Sequence, residues 1–412
     1  MADRVTVIGW DGSPLTRAAQ AALDAATLVA GGSSQLRDLR LPAGAERMAL
    51  GSVALVARRI VDHRGTAVVV AEGDPGFFGV VRTLRKPEYG LELEVLPAVS
   101  SVSTAFARAG MAWDDAQVVS THGRGLRRAA NVCRAYPKVA VLTSPGAGPS
   151  ELALLLRDVH RTFVICEALG SPEENITVLT SDRVPEHLWR DPNVVIVIGG
   201  GRRDPDAPSG WLAGRPLDFP GGERGWAAEA GPPTAETPAD DVAATDTELP
   251  AAVRALVLAR IGARPGDLLW DVCAGSGSLA VDAARAGAAV LAVDQDPDAC
   301  ARIDVSARRY GVDVRTVHGT APAVLADLPE PDVVLVRGGV DVLRACLGRR
   351  PERVVVLPRT LEQVVAARRA LAEVGYSADG VLLDSSPLAS LVGEPGRAAR
   401  PVAPVFVLWG DR

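Results

Sequence analysis

Short apolar runs recur along the chain, each followed by a stretch in which apolar residues return every third or fourth position. The first pattern is that of a buried strand and the second that of an amphipathic helix. In the first 200 residues the strand pattern occupies Val5–Ile8, Ala67–Ala71, Leu91–Leu96, Val118–Ser120, Val139–Thr143, Thr162–Cys166, Ile176–Leu179 and Val194–Ile198. The helical pattern occupies Leu15–Ala30, Val102–Ala109, Leu126–Ala135 and Pro149–Arg157. This alternation predicts an α/β fold. A change of layer is expected between about Ala112 and Lys138, where a second series of strands begins.

The C-terminal part repeats the alternation more regularly. Helix Ala251–Ile261 precedes a strand and glycine turn within Asp267–Gly287. Strand Ala288–Asp296, helix Asp298–Tyr310, and strands Asp313–Gly319, Val333–Val336 and Arg353–Leu357 follow. Helix Leu361–Val374 and two late apolar runs, Ala378–Leu383 and Val405–Trp409, close the series. That order predicts a doubly wound sheet with an antiparallel edge. Between the two parts the pattern breaks. From Gly201 to about Thr247 Pro, Gly, Ala and Asp dominate, as in "GPPTAETPADD" (Gly231–Asp241), which is linker composition. The 412 residues therefore divide into a domain over 1–202, a linker over 203–245 and a domain over 246–412.

Composition narrows the function classes. The chain is 48% hydrophobic, enough for several cores, and its 41 glycines suit close helix–sheet packing. A net charge of -6 argues against a general nucleic-acid binder. Five cysteines are scattered without a C-x-x-C pair, so neither a zinc site nor a disulfide framework is indicated. "MADRVTVIGW" runs into a strand without a signal peptide, and no apolar run reaches the ~18 residues of a membrane span. A soluble cytoplasmic protein without membrane association is expected.

Two glycine turns carry candidate chemistry. "AEGDPGFFG" (Ala71–Gly79) follows the strand Thr66–Ala71 and has two acids but no Lys, Ser or Thr for a phosphate. "DVCAGSGS" (Asp271–Ser278) ends a strand and opens a helix. Gly275 and Gly277 let that backbone turn tightly and approach a ligand. The third glycine of a dinucleotide fingerprint is replaced by Ala280, yet the next strand ends in Asp294, about 20 residues on, where an acid accepts ribose hydroxyls. The pair points to an adenosine ligand without a pyrophosphate, and S-adenosylmethionine fits. The competing reading of each loop is a turn used only for packing.

"DTELPAAVRALVLARIGARPGDLLWDVCAGSGSLAVDAA" resembles the start of the class I methyltransferase domain that modifies precorrins in cobalamin synthesis. "GTAPAVLADLPEPDVVLVRGG" (Gly319–Gly339) and "TLEQ" (Thr360–Gln363) are similar to later motifs of that family, and the resemblance covers about Asp246 to Arg412. The N-terminal part resembles the tetrapyrrole methylases, a two-subdomain fold, through Gly73-Asp74-Pro75, "LPAVSSVSTAFA" (Leu96–Ala107), "WDDAQVVSTHGR" (Trp113–Arg124), "NVCRAYPKVAVLTSPGAGPSEL" and "CEALGSPEENI" (Cys166–Ile176). In this order the two parts look like the fused precorrin methyltransferases. The resemblance implies a C-terminal domain that methylates carbon 15 of the macrocycle and decarboxylates the acetate on carbon 12. It implies an N-terminal domain that methylates carbon 5.

Cofactor contacts follow from the same resemblance, with one S-adenosylmethionine per domain. In the N-terminal domain they fall on Gly73, Asp74, Pro75, Phe78, Ser100, Ser101, Leu142 and Leu169. In the C-terminal domain they fall on Asp271, Cys273, Ala274, Gly275, Ser276, Gly277, Asp294 and Ala321. The chain departs from the family at Cys273, where Gly is usual, at Leu249-Pro250 in place of Thr-Lys, and at Arg337-Gly338-Gly339 in place of Ile-Gly-Gly. The first loop, Gly9–Thr16, is short, and Ser385–Ser390 only partly matches an Arg-containing stretch. These departures bear on decarboxylation more than on cofactor binding.

Methyl transfer from a sulfonium is an in-line displacement with a neutral leaving group, so positioning is the main task. No Ser/His/Asp triad is apparent, no metal is demanded, and no catalytic residue is assigned. A precorrin carries many carboxylates, which cations bind. "HGRGLRR" offers Arg124, Arg127 and Arg128, with a solvated charged face as the alternative. His122 reads as a polar residue at a strand end; His63, His160 and His187 read as surface, and His318 lies near the cofactor edge. Tetrapyrrole methylases are commonly dimers, so a homo-oligomer is expected. Two rival readings stand beside this one: a single active domain with the other as scaffold, and a non-catalytic tetrapyrrole carrier.

Overall fold

A computed structural model describes residues 4–122, 125–199, 213, 249–384 and 404–412. The expected linker, 203–245, lies outside the described residues except for Ala213, as do Arg124 and Ser385–Ser390. Among the described residues, three sheets form.

The first sheet is wholly parallel. Its strands are β1 (Arg4–Trp10), β2 (Leu28–Gly31), β3 (Glu46–Ala49), β4 (Thr66–Glu72) and β5 (Leu93–Leu96), in the order β3-β2-β4-β1-β5. Helices α1 (Arg17–Asp24), α2 (Ser33–Asp38), α3 (Val53–Asp62) and α4 (Val81–Leu84) connect them. The helical run expected over Leu15–Ala30 is divided. Thr16 caps α1 by accepting the Ala19 N–H at 3.2 Å, the helix stops at Asp24, and Leu28–Gly31 forms a strand buried along its whole length. An apolar run buried on both faces carries no period to separate strand from helix. β3 is an exposed edge strand whose residues show no strand pattern.

The second sheet holds β6 (Gln117–Ser120), β7 (Lys138–Leu142), β8 (Thr162–Glu167), β9 (Asn175–Thr180) and β10 (Asn193–Ile198), ordered β6-β7-β10-β8-β9. Only β6 and β7 pair in parallel. One face packs on α5 (Ser101–Ala109) through Val102, Ala105 and Phe106. The other packs on α6 (Leu126–Ala135) and α7 (Pro149–Leu155). The chain therefore changes layer between Leu96 and Gln117, earlier than expected, because α5 already belongs to the second core.

The C-terminal sheet has seven strands: β11 (Leu268–Val272), β12 (Ala289–Asp294), β13 (Val314–His318), β14 (Val333–Val336), β15 (Arg353–Val356), β16 (Ser377–Leu383) and β17 (Val405–Asp411). Their order is β13-β12-β11-β14-β15-β17-β16, parallel up to β15, with β17 antiparallel to both of its neighbours. Helices α8 (Ala251–Ile261), α9 (Ser278–Arg285) and α10 (Pro297–Arg309) cover one face. The other face is covered by α11 (Val340–Leu347), which the sequence pattern missed, and α12 (Leu361–Glu373). Among the described residues no helix is long and apolar enough to cross a membrane.

The two halves touch through α6, which lies against the amino ends of the C-terminal strands. Asn131 donates to the Gly266 carbonyl at 3.0 Å, and Arg128 pairs with Asp267 at 3.2 Å and Glu352 at 3.4 Å. Nearby, Arg161 pairs with Asp313 at 2.8 Å and Arg315 with Asp158 at 2.7 Å. The opposite, carboxyl ends of the same strands are left to bind ligands.

Candidate functional site

At the carboxyl ends of the C-terminal strands lies a cavity of about 670 Å³. The strand order reverses between β12 and β14 around β11, so the opening sits at the topological switch point. The β11–α9 turn forms its floor. Cys273, Gly275 and Gly277 alternate in the left-handed region, at φ of 63°, 57° and 69°. A cysteine at the first of these carries strain of about 1–2 kcal/mol that glycine avoids. The glycine that the resemblance implies at this position would be free of that strain.

Asp294, at the tip of β12, braces this turn. One carboxylate oxygen accepts the Gly275 N–H at 2.8 Å and the other accepts the Asp296 N–H at 3.0 Å. Each oxygen keeps a lone-pair site free for a hydroxyl, so the carboxylate still fits a ribose. A Cβ on Gly275 would meet only Arg337 Nη1, at 3.5 Å, which leaves open space for a ligand against the backbone. Cys273, Gly275, Asp294 and Ala321 line the cavity together. The remaining residues expected to touch the cofactor do not line it. Asp271 is fully buried behind the turn, Ala274 accepts the Gly277 N–H at 2.9 Å, and Ser276 bonds Ser278 at 3.3 Å. Gly277 answers to packing: a Cβ there would lie 2.2 Å from Cγ1 of Ile303 on α10.

Arg337, one of the departures from the family, lies beside Asp271. Its guanidinium contacts both Asp271 oxygens at 3.2 Å and donates to the Ala274 carbonyl. Burial pushes the Asp271 carboxyl up from its usual value, and the Arg337 charge and hydrogen bond pull it back. The Arg337 Nε is buried without a hydrogen-bond partner among the described residues. His318 ends β13 with its Nε2 3.1 Å from the Gln295 carbonyl.

In the N-terminal half the turn after β4 is held between β1 and α5. The Gly73 N–H donates to the Trp10 carbonyl at 2.8 Å. Gly73 has φ 60°, and a Cβ on it would come within 3.1 Å of the Ser101 nitrogen. Ser100 caps α5 by accepting the Ser103 N–H at 3.1 Å. Gly73, Ser100 and Ser101 are thus brought together. Asp74 shapes the turn, accepting the Gly76 N–H at 2.8 Å. Pro75 is tucked in place, since a Cβ on Gly79 would sit 2.2 Å from its carbonyl oxygen. Leu142 and Leu169 pack at the margin of the core that surrounds α5. Phe78 turns outward, 51% exposed, edge-on to Phe77 at 5.0 Å, beside a second cavity that Trp113 also lines. Gly9 was missed: a Cβ there would lie 2.2 Å from the Gly73 oxygen and 2.5 Å from the Ala98 nitrogen. A glycine inside a strand is the signal for such close approach.

Two of the arginines expected to hold substrate are engaged between the halves. Arg127 pairs with buried Asp332 and donates to the Glu330 carbonyl at 3.2 Å, while Arg128 pairs with Asp267. Both belong to the contact between the halves. Arg124 lies outside the described residues. His122 Nδ1 meets the Ser120 hydroxyl at 2.9 Å.

Two family models match the chain. One, described as Tetrapyrrole (Corrin/Porphyrin) Methylases, matches residues 9–185, and one described as Precorrin methyltransferase domain matches 242–399. The chain is 31% identical over 395 residues to the Precorrin-6Y C(5,15)-methyltransferase [decarboxylating] of Mycobacterium tuberculosis (strain CDC 1551 / Oshkosh), covering 90% of each. It is 37% identical over 287 residues to the protein of the same name from Sinorhizobium sp, covering 68% of this chain and 64% of that one's length. A third relative, the Cobalt-precorrin-7 C(5)-methyltransferase of Salmonella typhimurium, is 36% identical over 171 residues, which are 39% of this chain and 82% of that one.

Proposed function

The chain belongs to the precorrin-6Y C(5,15)-methyltransferases (decarboxylating), and on that premise we propose that it methylates a precorrin at carbons 5 and 15 and decarboxylates the acetate on carbon 12. It is an S-adenosylmethionine-dependent C-methyltransferase. In this reading each half binds its own cofactor, and the domains run over 1–202 and 246–412. The observation that carries the two-site reading is the pair of glycine turns, one at the end of β4 and one at the end of β11, in separate sheets. A relative named for the carbon 5 step alone, 82% covered by a match to 39% of this chain, agrees with separable steps.

When bound, the sulfonium supplies an activated methyl group. The chain's part is positional. Asp294 and the Gly275 backbone hold the adenosine end in the C-terminal half. The Asp271–Arg337 pair keeps the turn rigid beneath it. In the N-terminal half Gly73 to Pro75 and the α5 amino end, Ser100–Ser101, form the corresponding cradle, with Leu142, Leu169 and the Phe77–Phe78 edge as its apolar border. A homo-oligomer belongs to the proposal and is checked by light scattering.

The test is incubation of the full chain with precorrin-6Y and excess cofactor, read by mass spectrometry. The expected product has gained two methyl groups and lost one carbon dioxide. A product with one new methyl would favour the reading in which one half is only a scaffold. Unchanged substrate that stays bound would favour a carrier.

A further inference from the structure

The C-terminal cavity divides along the sheet into two regions of different chemistry. Over β12 and β13 its wall is polar: Asp294, Gln295, Gly319 and Thr320 offer a carboxylate, amides and a hydroxyl. Over β14, β15 and β17 its wall is aliphatic, built from Leu249, Pro250, Leu357, Pro358, Pro404 and Val405. Cys273 and Arg337 lie between the two. The polar region matches an adenosine held by Asp294, so the aliphatic region is left for the flat face of a macrocycle.

Among the described residues two arginines line this cavity, and they differ in what they already hold. Arg337 is engaged by Asp271 and the Ala274 carbonyl. Arg359 stands on the aliphatic side, exposed, and its guanidinium has no hydrogen-bond or ion-pair partner among the described residues. Its backbone is fixed, because the Arg359 N–H donates to Gln363 Oε1 at 2.7 Å and Thr360 caps α12 through the Gln363 N–H at 3.3 Å. The residue lines the same cavity as Cys273. Burial raises the Cys273 thiol from its usual value, and Arg359 is among the positive charges that oppose this.

We propose that Arg359 is the carboxylate anchor of the C-terminal site, binding a peripheral carboxylate of the macrocycle while the ring lies on the Leu357–Pro358 and Pro404–Val405 wall. The inference rests on the functional reading above and adds to it the residue that orients the substrate. A guanidinium meets a carboxylate through two parallel hydrogen bonds, which fixes direction as well as distance. Such a contact holds carbon 15 in line with the methyl group. The arginines of α6 are docked on the opposite ends of the strands and cannot reach this wall.

The experiment compares the wild-type full chain with Arg359→Gln and Arg359→Lys. The exposed position makes both variants foldable, and an unchanged cofactor affinity by calorimetry verifies it. Arg359→Gln should raise the precorrin KM of carbon 15 methylation by roughly ten- to a hundredfold, lower kcat as well because the ring loses its fixed direction, and flatten the salt dependence of KM. Arg359→Lys should recover part of the loss. The affinity for uroporphyrin, a non-reacting polycarboxylate macrocycle, should fall by a similar factor at one class of sites. Equal KM and equal uroporphyrin binding in wild type and Arg359→Gln would overturn the inference. So would a loss confined to cofactor affinity. A wild-type chain that binds uroporphyrin through Arg359 yet methylates no precorrin would overturn the functional reading alone.

Discussion

Asn131 on α6 donates its side-chain amide to Asp332 Oδ2 at 3.1 Å, across 201 residues of sequence. The same oxygen accepts the Leu268 N–H at 2.8 Å, and Arg127 pairs with the other. Asp332 is 1% exposed, so one buried carboxylate serves the first strand of the C-terminal sheet and the helix of the other half. The halves are therefore docked, and the contact sits at the strand ends opposite the cofactor cavity.

Removing that carboxylate should uncouple the halves. Asp332→Ala leaves the Leu268 N–H, the Asn131 amide and the Arg127 charge without their acceptor. The expected loss is about 3 kcal/mol, read as a lower urea midpoint. With a protease site introduced between the halves, the cleaved wild-type pieces should elute together in gel filtration and the Asp332→Ala pieces apart. Separate elution of the wild-type pieces would show that the contact does not hold in solution.

The Asp271–Arg337 pair gives a pH dependence with a defined sign. Burial raises the Asp271 carboxyl, so the folded chain keeps this proton to a higher pH than the unfolded chain does. A raised pKa contributes stability below the unfolded value that is lost as pH rises through the folded one. Arg337 limits the rise. Arg337→Met removes that limit and extends the loss upward in pH. Relative to wild type, the variant should be nearly neutral around pH 4 and less stable by about 3 kcal/mol at pH 8. Urea titrations at both values, without cofactor, check this; equal destabilisation at the two would show that the pair is not electrostatically coupled.

The two glycines of the β11–α9 turn should fail in different ways. Gly277→Ala drives a methyl into Ile303 on α10 at a left-handed position, and should cost about 3 kcal/mol of stability. Gly275→Ala has room against Arg337 but fills the space over the turn. Its stability cost should be about 1 kcal/mol, with cofactor affinity lower by roughly tenfold or more. Calorimetric unfolding and cofactor titration of both variants separate the two effects. Matching losses in both variants would mean that the turn acts as one packed unit.

Most of the sheets were legible because their strands are buried, apolar and bounded by turn residues. The strand β14 at Val333–Val336 and the helices Leu126–Ala135 and Ala251–Ile261 coincide with their sequence patterns. Leu28–Gly31 was not legible, because a strand buried on both faces shows no alternation. The partners of Arg127 and Arg128 were not legible either. An arginine that meets a carboxylate some 200 residues away looks in sequence like one that meets solvent or substrate. Gly277 could be recognised as necessary but not why, since ligand approach and helix packing both demand a missing Cβ. Arg337 was visible only as a departure from the resembling family, and Arg359 was not singled out; their difference, one engaged and one not, exists only in three dimensions.

The two cofactor sites should be separable by mutation even though the halves are docked. Gly73 has φ 60°, and its Cβ position is bounded by the Ser101 nitrogen at 3.1 Å and the Ser100 Cα at 3.2 Å. Valine there adds a β-branched side chain at a left-handed position. The turn must move off α5, which dismantles the N-terminal cradle. The C-terminal cavity is insulated from this change, because the contact between the halves runs through α6 to the amino ends of β11 and β14, while Gly275 and Asp294 lie at the carboxyl ends of their strands. Gly73→Val should therefore yield a decarboxylated product carrying one new methyl, at a C-terminal rate close to that of wild type. Product mass with excess cofactor is the measurement, and cofactor titration should show one site lost and one kept. If Gly73→Val abolishes both methylations in a chain that still unfolds at the wild-type temperature, a single composite site spanning the halves replaces the two-site reading.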